Sequence, residues 1–248
     1  METNIKSLTS EQKKFYKNNG YLLVENFISK KTAQKIKQFA LKNLAEKPDY
    51  PINLNVHRTV KLFKKIIKNK NLVNIVESLQ KKSVVALNDQ MIYKKKGSGY
   101  GGQSWTMHQD NAFIKTTKNA YLIAHLFLDD STPKNGGLIF WSKTHKENIL
   151  KCIQRKSHRE KIGKNGVSKP GWTIVPEEQK RIKKHYKKIK IDGKSGALCI
   201  MHGNLVHGSS PNKSKVMDRA TYSMAYLNND AKFKNRGYNS VKKKFKLN

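Results

Sequence analysis

The sequence predicts a mainly β protein, a sandwich or jelly roll with helices packed on its outside. Three observations carry this. Helical periodicity is confined to the first third of the chain. From Ser83 onward the texture changes to short alternating segments separated by turn signals. No repeat or linker divides the 248 residues, a length at which β-rich folds commonly stay one domain.

The helical flank spans 1–82. Thr9 with Gln12 makes a capping box that opens a short helix, and Gly20 closes it. Tyr21–Val24 is then a strand. Ser29 caps a second helix whose Ala33, Ile36, Ala40 and Leu44 form one apolar stripe. Pro48 and Pro51 interrupt the chain. A third helical region, Val60 to Leu79, carries Phe63, Ile66, Ile67, Val73 and Val76.

The β core spans 83–230. Ser83–Lys94 alternates, so Asn88, Gln90, Ile92 and Lys94 share one face. Gly97–Gly102 reads as a loop, Trp105–Asp110 as a strand and Tyr121–Leu128 as another. Thr132-Pro133-Lys134-Asn135-Gly136-Gly137 signals a turn before the strand Leu138–Trp141. Residues 146–188 are basic and poor in periodicity, as in an insertion or lid. Strands resume at Ile189–Ile191, Ala197–Met201 and Thr221–Leu227, and the basic tail, 231–248, reads as frayed toward its end.

Lys and Arg number 51 against 17 Asp and Glu, a net charge of +34. Such a field attracts nucleic acid, anionic membrane or acidic metabolites. The excess is lysine, however, since arginine occurs only as Arg58, Arg155, Arg159, Arg181, Arg219 and Arg236. Nucleic-acid readers favour arginine for bidentate contacts. The lysines are spread along the whole chain beside abundant Asn and Ile, as an AT-rich genome's codon bias would produce. Nucleic acid is therefore not the expected partner. No apolar run approaches the ~18 residues of a membrane span. The polar N-terminus lacks a secretory signal, and Cys152 and Cys199 lack zinc-type spacing. A soluble, reducing compartment, taken as the cytoplasm, fits best. Oligomeric state is not legible.

His108-Gln109-Asp110 carries the chemistry. On a strand, residues i and i+2 share a face at about 6.5–7 Å, close enough to share one ion. With a second histidine from a distant strand they would make the facial triad of non-haem iron enzymes, which leaves the opposite side of the metal open. Alone the tripeptide is weak, arising by chance in about one such sequence in four. His207 strengthens it, standing between a strand and a Gly-Ser-Pro-Asn turn. Arg219 begins the next strand, with Thr221 on its face, a fork and a hydroxyl suited to a dicarboxylate's far end. His202 is the nearest rival ligand.

Together these segments resemble the phytanoyl-CoA dioxygenase family, which includes ectoine hydroxylase. The similar stretches are Leu8–Phe27, Gln90–Phe113, Leu126–His145 and Gly196–Leu227. They are marked by Asn19-Gly20-Tyr21, His108-Gln109-Asp110, the Thr132–Leu138 turn, and His207-Gly208-Ser209 with Arg219. The resemblance implies a double-stranded β-helix (a cupin-like jelly roll), and Fe(II) held by His108, Asp110 and His207. It further implies 2-oxoglutarate as co-substrate, O2, and hydroxylation of a small-molecule substrate with release of succinate and CO2. Arg219, Thr221 and Ser209 would then hold the co-substrate's far carboxylate, and His145 aligns with a structural histidine. Asn88, Gln90 and Lys94 line the cavity, touching co-substrate or substrate, or are ordinary strand polarity. Tyr121 and His125 either orient the co-substrate or belong to the core, and Trp105, Phe113 and Trp141 either wall the pocket or pack. The alternative function is polyanion or nucleic-acid binding on an inactive scaffold.

Overall fold

Helix α1 (Ser10–Asn19) shows how far local signals reach. In the computed structural model, which describes residues 1–44, 52–117, 119–155, 171–233 and 243–247, the Gln12 amide donates to Thr9 Oγ1 and Gln12 Oε1 accepts from the Thr9 amide. Gly20 then stops the helix at φ +81°, and strand β1 (Tyr21–Val24) follows. Ser29 caps α2 (Lys30–Asn43) through the Thr32 amide, and Ala33, Ile36 and Ala40 form its buried stripe.

The long third helix expected from Val60 to Leu79 is two helices, α3 (Lys61–Ile67) and α4 (Lys70–Gln80), after the short strand β2 (Ile52–Leu54). Asn69 divides them, its side chain accepting from the Leu72 amide as the cap of α4. Apolar periodicity runs through the break because both helices bury the same side, which hides the cap inside the pattern. Pro48, Pro51, 156–170 and most of the basic tail lie outside the described residues.

The remaining strands are β3 (Val84–Lys94), β4 (Trp105–His108), β5 (Tyr121–Phe127), β6 (Leu138–Trp141), β7 (Cys152–Arg155), β8 (Gly171–Ile174), β9 (Lys188–Lys190), β10 (Leu198–His202), β11 (His207–Ser209) and β12 (Arg219–Asn228). Two further helices are α5 (Asn111–Ile114) and α6 (Pro176–His185). A six-stranded sheet, β1-β10-β5-β12-β3-β2, faces a four-stranded one, β4-β11-β6-β9, and the neighbours within both are antiparallel. This is the jelly roll. Between the sheets lie Ile123, Phe127, Leu138, Phe140, Met201 and Leu227. The large sheet's other face, including Leu122, Ala124, Leu126 and Tyr222, packs on α2, α3 and α4. Covered on both sides, β5 is buried throughout, so its residues read as a continuous apolar run broken only by Tyr121 and His125.

One segment gains definition and two expectations need correcting. The described parts of 146–188 hold regular elements: β7 and β8 pair antiparallel, and Ile174 of β8 and Ile182 of α6 join Met107, Trp141, Leu150 and Val206 in a third cluster behind the small sheet. Of the two alternatives open for Trp141, packing in the core is the one it takes, in that cluster. The tail is not frayed where it is described, because Phe245 exchanges backbone hydrogen bonds with Ala86 on β3. Finally, the strand read as Trp105–Asp110 ends at His108, and Asp110 stands in helical conformation (φ −62°, ψ −34°) as the residue before α5. No helix among the described residues is long and apolar enough to cross a membrane.

Candidate metal centre

The register of the small sheet sets the site. His207 opens β11 directly opposite His108, the last residue of β4, and the two imidazole centroids lie 4.1 Å apart. Such cross-strand neighbours are the closest side-chain pairs a sheet offers. Gly208 lets the strands meet there, since a Cβ on it would sit 2.7 Å from the Trp105 carbonyl oxygen. Asp110 comes up from the turn after β4, with Oδ1 3.4 Å from His108 Nε2 and Oδ2 3.7 Å from His207 Nε2. One potential donor atom from each residue lies within 4.8 Å of the others. Adjacent ligands around a first-row ion are roughly 3 Å apart, so small side-chain shifts would close the set on one ion.

The tautomers suit this. His108 Nδ1 lies 2.7 Å from the Thr106 carbonyl and His207 Nδ1 3.0 Å from the Leu205 carbonyl. Carbonyls only accept, so each Nδ1 carries the proton and each Nε2 lone pair faces Asp110. Burial pushes His207 down to about 4, and nearby His108 adds to this against the pull of Asp110, so the ring is neutral and able to ligate. Burial opposes charge on Asp110, yet His207 and His108 hold its pKa well below the ordinary carboxylate range.

Beside these three is a cavity of about 80 Å³, lined also by Gln90, Ile92, Trp105, His125, Leu138, Ser209, Arg219 and Ser223. Arg219 is 3% exposed. Its Nη1 donates to Thr221 Oγ1 at 3.1 Å, while its Nε is buried without a partner. Burial lowers its pKa to about 10, which leaves it a cation at neutral pH. An orphaned guanidinium N–H on a cavity wall is costly unless an anion uses it. The donor set thus fits a divalent cation with an anionic ligand beside it.

Gln90, Trp105, His125, Ser209 and Arg219 share the cavity with the triad. Thr221 braces Arg219 and does not line the cavity. Lys94 is fully buried behind Ser209, its Nζ donating to Ser209 Oγ at 2.8 Å and to the Gln103 carbonyl at 3.0 Å. Asn88 lies away from the cavity, beyond Gln90 on β3. Tyr121 is in the core between the sheets, where burial first and Asp110 second raise its pKa. His202 accepts from the Asn204 amide at 2.9 Å through Nδ1, and its Nε2 meets Asn119 Oδ1, so it is occupied away from the centre. His145 Nε2 meets the Lys17 carbonyl at 3.0 Å. Sequence reasoning missed Ser223, although its two-residue spacing from Thr221 was available. Leu138 reaches the site only through the β6–β11 pairing, which local sequence does not carry.

The profile of the phytanoyl-CoA dioxygenase family matches residues 16–220. The chain is 24% identical over 237 residues to human "Phytanoyl-CoA dioxygenase, peroxisomal", covering 86% of this chain and 67% of that protein. It is 25% identical over 275 residues to the Arabidopsis thaliana phytanoyl-CoA dioxygenase, covering 90% of each. Among solved structures it is similar to EctD from S. alaskensis with 2-oxoglutarate and 5-hydroxyectoine, with TM-score 0.73 and 16% identity over 99% of this chain and 88% of that one.

Proposed function

We propose that this chain, which belongs to the phytanoyl-CoA dioxygenase family, is an Fe(II)- and 2-oxoglutarate-dependent oxygenase that hydroxylates an unactivated C–H bond of a small metabolite. The supporting observation is the convergence of the His108, Asp110 and His207 donor atoms beside a buried Arg219 whose Nε has no partner. Overall, substrate C–H, O2 and 2-oxoglutarate become substrate C–OH, succinate and CO2. Iron(II), when bound, supplies the activation of O2.

The chain's own residues supply the rest. His108, Asp110 and His207 would hold the ion beside the cavity. Arg219, braced by Thr221, takes the far carboxylate of 2-oxoglutarate through its fork, with Ser209 as a neighbouring hydroxyl. Gln90 and Trp105 line the cavity, where a substrate's polar and apolar parts would be oriented. The small size of the cavity limits the water around the reacting groups. The positive field suits an anionic metabolite. The whole chain acts as one domain in this reading.

The test is anaerobic reconstitution of purified protein with Fe(II) and 2-oxoglutarate, then a metabolite-library screen for substrate-dependent succinate. One iron per chain is expected, abolished by His108→Ala or His207→Ala and retained by His202→Ala. Iron binding at full stoichiometry in His207→Ala would remove that residue from the site and leave His202 as the candidate; no library compound raising succinate while nucleic acid binds with steep salt dependence would favour the polyanion-binding alternative.

A further inference from the structure

Asp110 reaches the centre from outside any strand, so no sheet register fixes its carboxylate. Its two chain neighbours are anchored instead. Gln109 is fully buried and Asn111 is 1% exposed, and both turn to Asn204, 2% exposed, which stands three residues before His207. Gln109 Nε2 donates to the Asn204 carbonyl at 2.8 Å, and Asn111 Nδ2 donates to Asn204 Oδ1 at 2.9 Å. The Asn111 amide donates to the Gly203 carbonyl at 2.9 Å. The turn bearing Asp110 is thus bonded three times to the loop that leads into His207.

The lattice is also anchored outward. The Leu150 amide donates to Gln109 Oε1 at 2.8 Å, and Asn111 Oδ1 accepts from Thr116 at its amide (3.0 Å) and hydroxyl (2.9 Å). Buried amides often do no more than satisfy nearby loop backbone. These differ in placement, one on each side of Asp110 and one just before His207, bonded to one another.

We infer that Gln109, Asn111 and Asn204 are positioning residues for the metal centre, an amide lattice that sets where the Asp110 carboxylate stands relative to the His207 imidazole. The inference rests on the metal-centre reading above. None of the three touches the ion. They act through the backbone of the ligands, as outer groups that orient ligands elsewhere do.

The experiment is a calorimetric titration of metal-free, full-length protein with Ni2+, which binds imidazole well enough to report on weakened sites. Wild type, Asn204→Ala, Asp110→Ala, the double variant and His108→Ala are compared. Asn204→Ala is expected to weaken Ni2+ binding about 10- to 100-fold. In the Asp110→Ala background the same change should alter affinity by no more than about twofold, because the carboxylate it positions is gone. An equal loss in both backgrounds would mean general loosening, and wild-type affinity in Asn204→Ala would mean no role; either overturns the inference. If Asn204→Ala does not fold, Asn204→Leu replaces it, since it keeps the volume, adds no charge and removes the acceptor for Asn111 Nδ2. Unchanged affinity in His108→Ala would instead overturn the metal-centre reading, and this inference with it.

Discussion

At the scale of single residues, the centre depends on groups whose burial would be unfavourable without a task. Arg219 is the clearest. Lysine in its place keeps the charge and loses the fork, so Arg219→Lys is expected to weaken 2-oxoglutarate binding by roughly 1.5–3 kcal/mol while metal stays bound. Titration of the metal-loaded variant with 2-oxoglutarate checks this; an unchanged curve would assign the carboxylate to another cation. His125 gives a second prediction. Burial lowers its pKa to about 3, with Asp110 pulling the other way and His207 and Arg219 adding to the shift. The folded chain keeps this imidazole neutral, whereas the unfolded chain protonates it near the ordinary value of 6.5. Its effect on stability is thus absent above about pH 6.5 and becomes a growing penalty as pH falls toward about 3. In metal-free protein, His125→Gln should lose less stability than wild type between neutral pH and about pH 4.5. Parallel denaturant midpoints across that range would remove the effect.

At the scale of elements, what was legible in sequence was what is local. The Thr9 box, the Gly20 stop and the Ser29 cap are decided within four residues, and each stands where it was read. The metal pair was read through the wrong geometry. His108 and Asp110 do lie together, but through a strand end and a turn, and the closest ligand pair in the sheet is His108 with His207, joined across strands. Cross-strand register depends on residues about a hundred positions apart and leaves no local signature. The same limit hid the tail. Phe245 extends the edge of β3 beyond the reach of β2, and its ring carries Arg58 and Lys64 at 5.8 and 5.9 Å. Phe245→Ala should cost roughly 1–2 kcal/mol, the value of a half-buried aromatic, without touching the metal site. Thermal melts with metal titrations on the same variant would separate the two; an unchanged melting temperature would return the tail to the frayed state.

At the scale of the whole molecule, the fold class was readable because the change from helical to alternating texture is a property of composition over tens of residues. The topology was not, since strand order is settled by pairing. A net charge of +34 on a chain this size also opposes compaction through self-repulsion. Added salt should therefore stabilise the protein: its melting temperature should rise between low ionic strength and roughly 0.3 M chloride, by about 2–4 °C per kcal/mol of repulsion relieved. A melting temperature that falls or stays level over that interval would show that local ion pairs outweigh the net charge.

The two histidines belong to the small sheet and Arg219 to the large one, with a packed core between the sheets. With the co-substrate held as proposed, the molecule would work as a caliper. The core side chains keep its jaws apart, and the gap they leave would be a length standard. A dicarboxylate one methylene too short or too long would not engage both jaws at once, whatever its charge. Selectivity for chain length would then reside in the thickness of the core, and a core substitution far from either jaw could reset it.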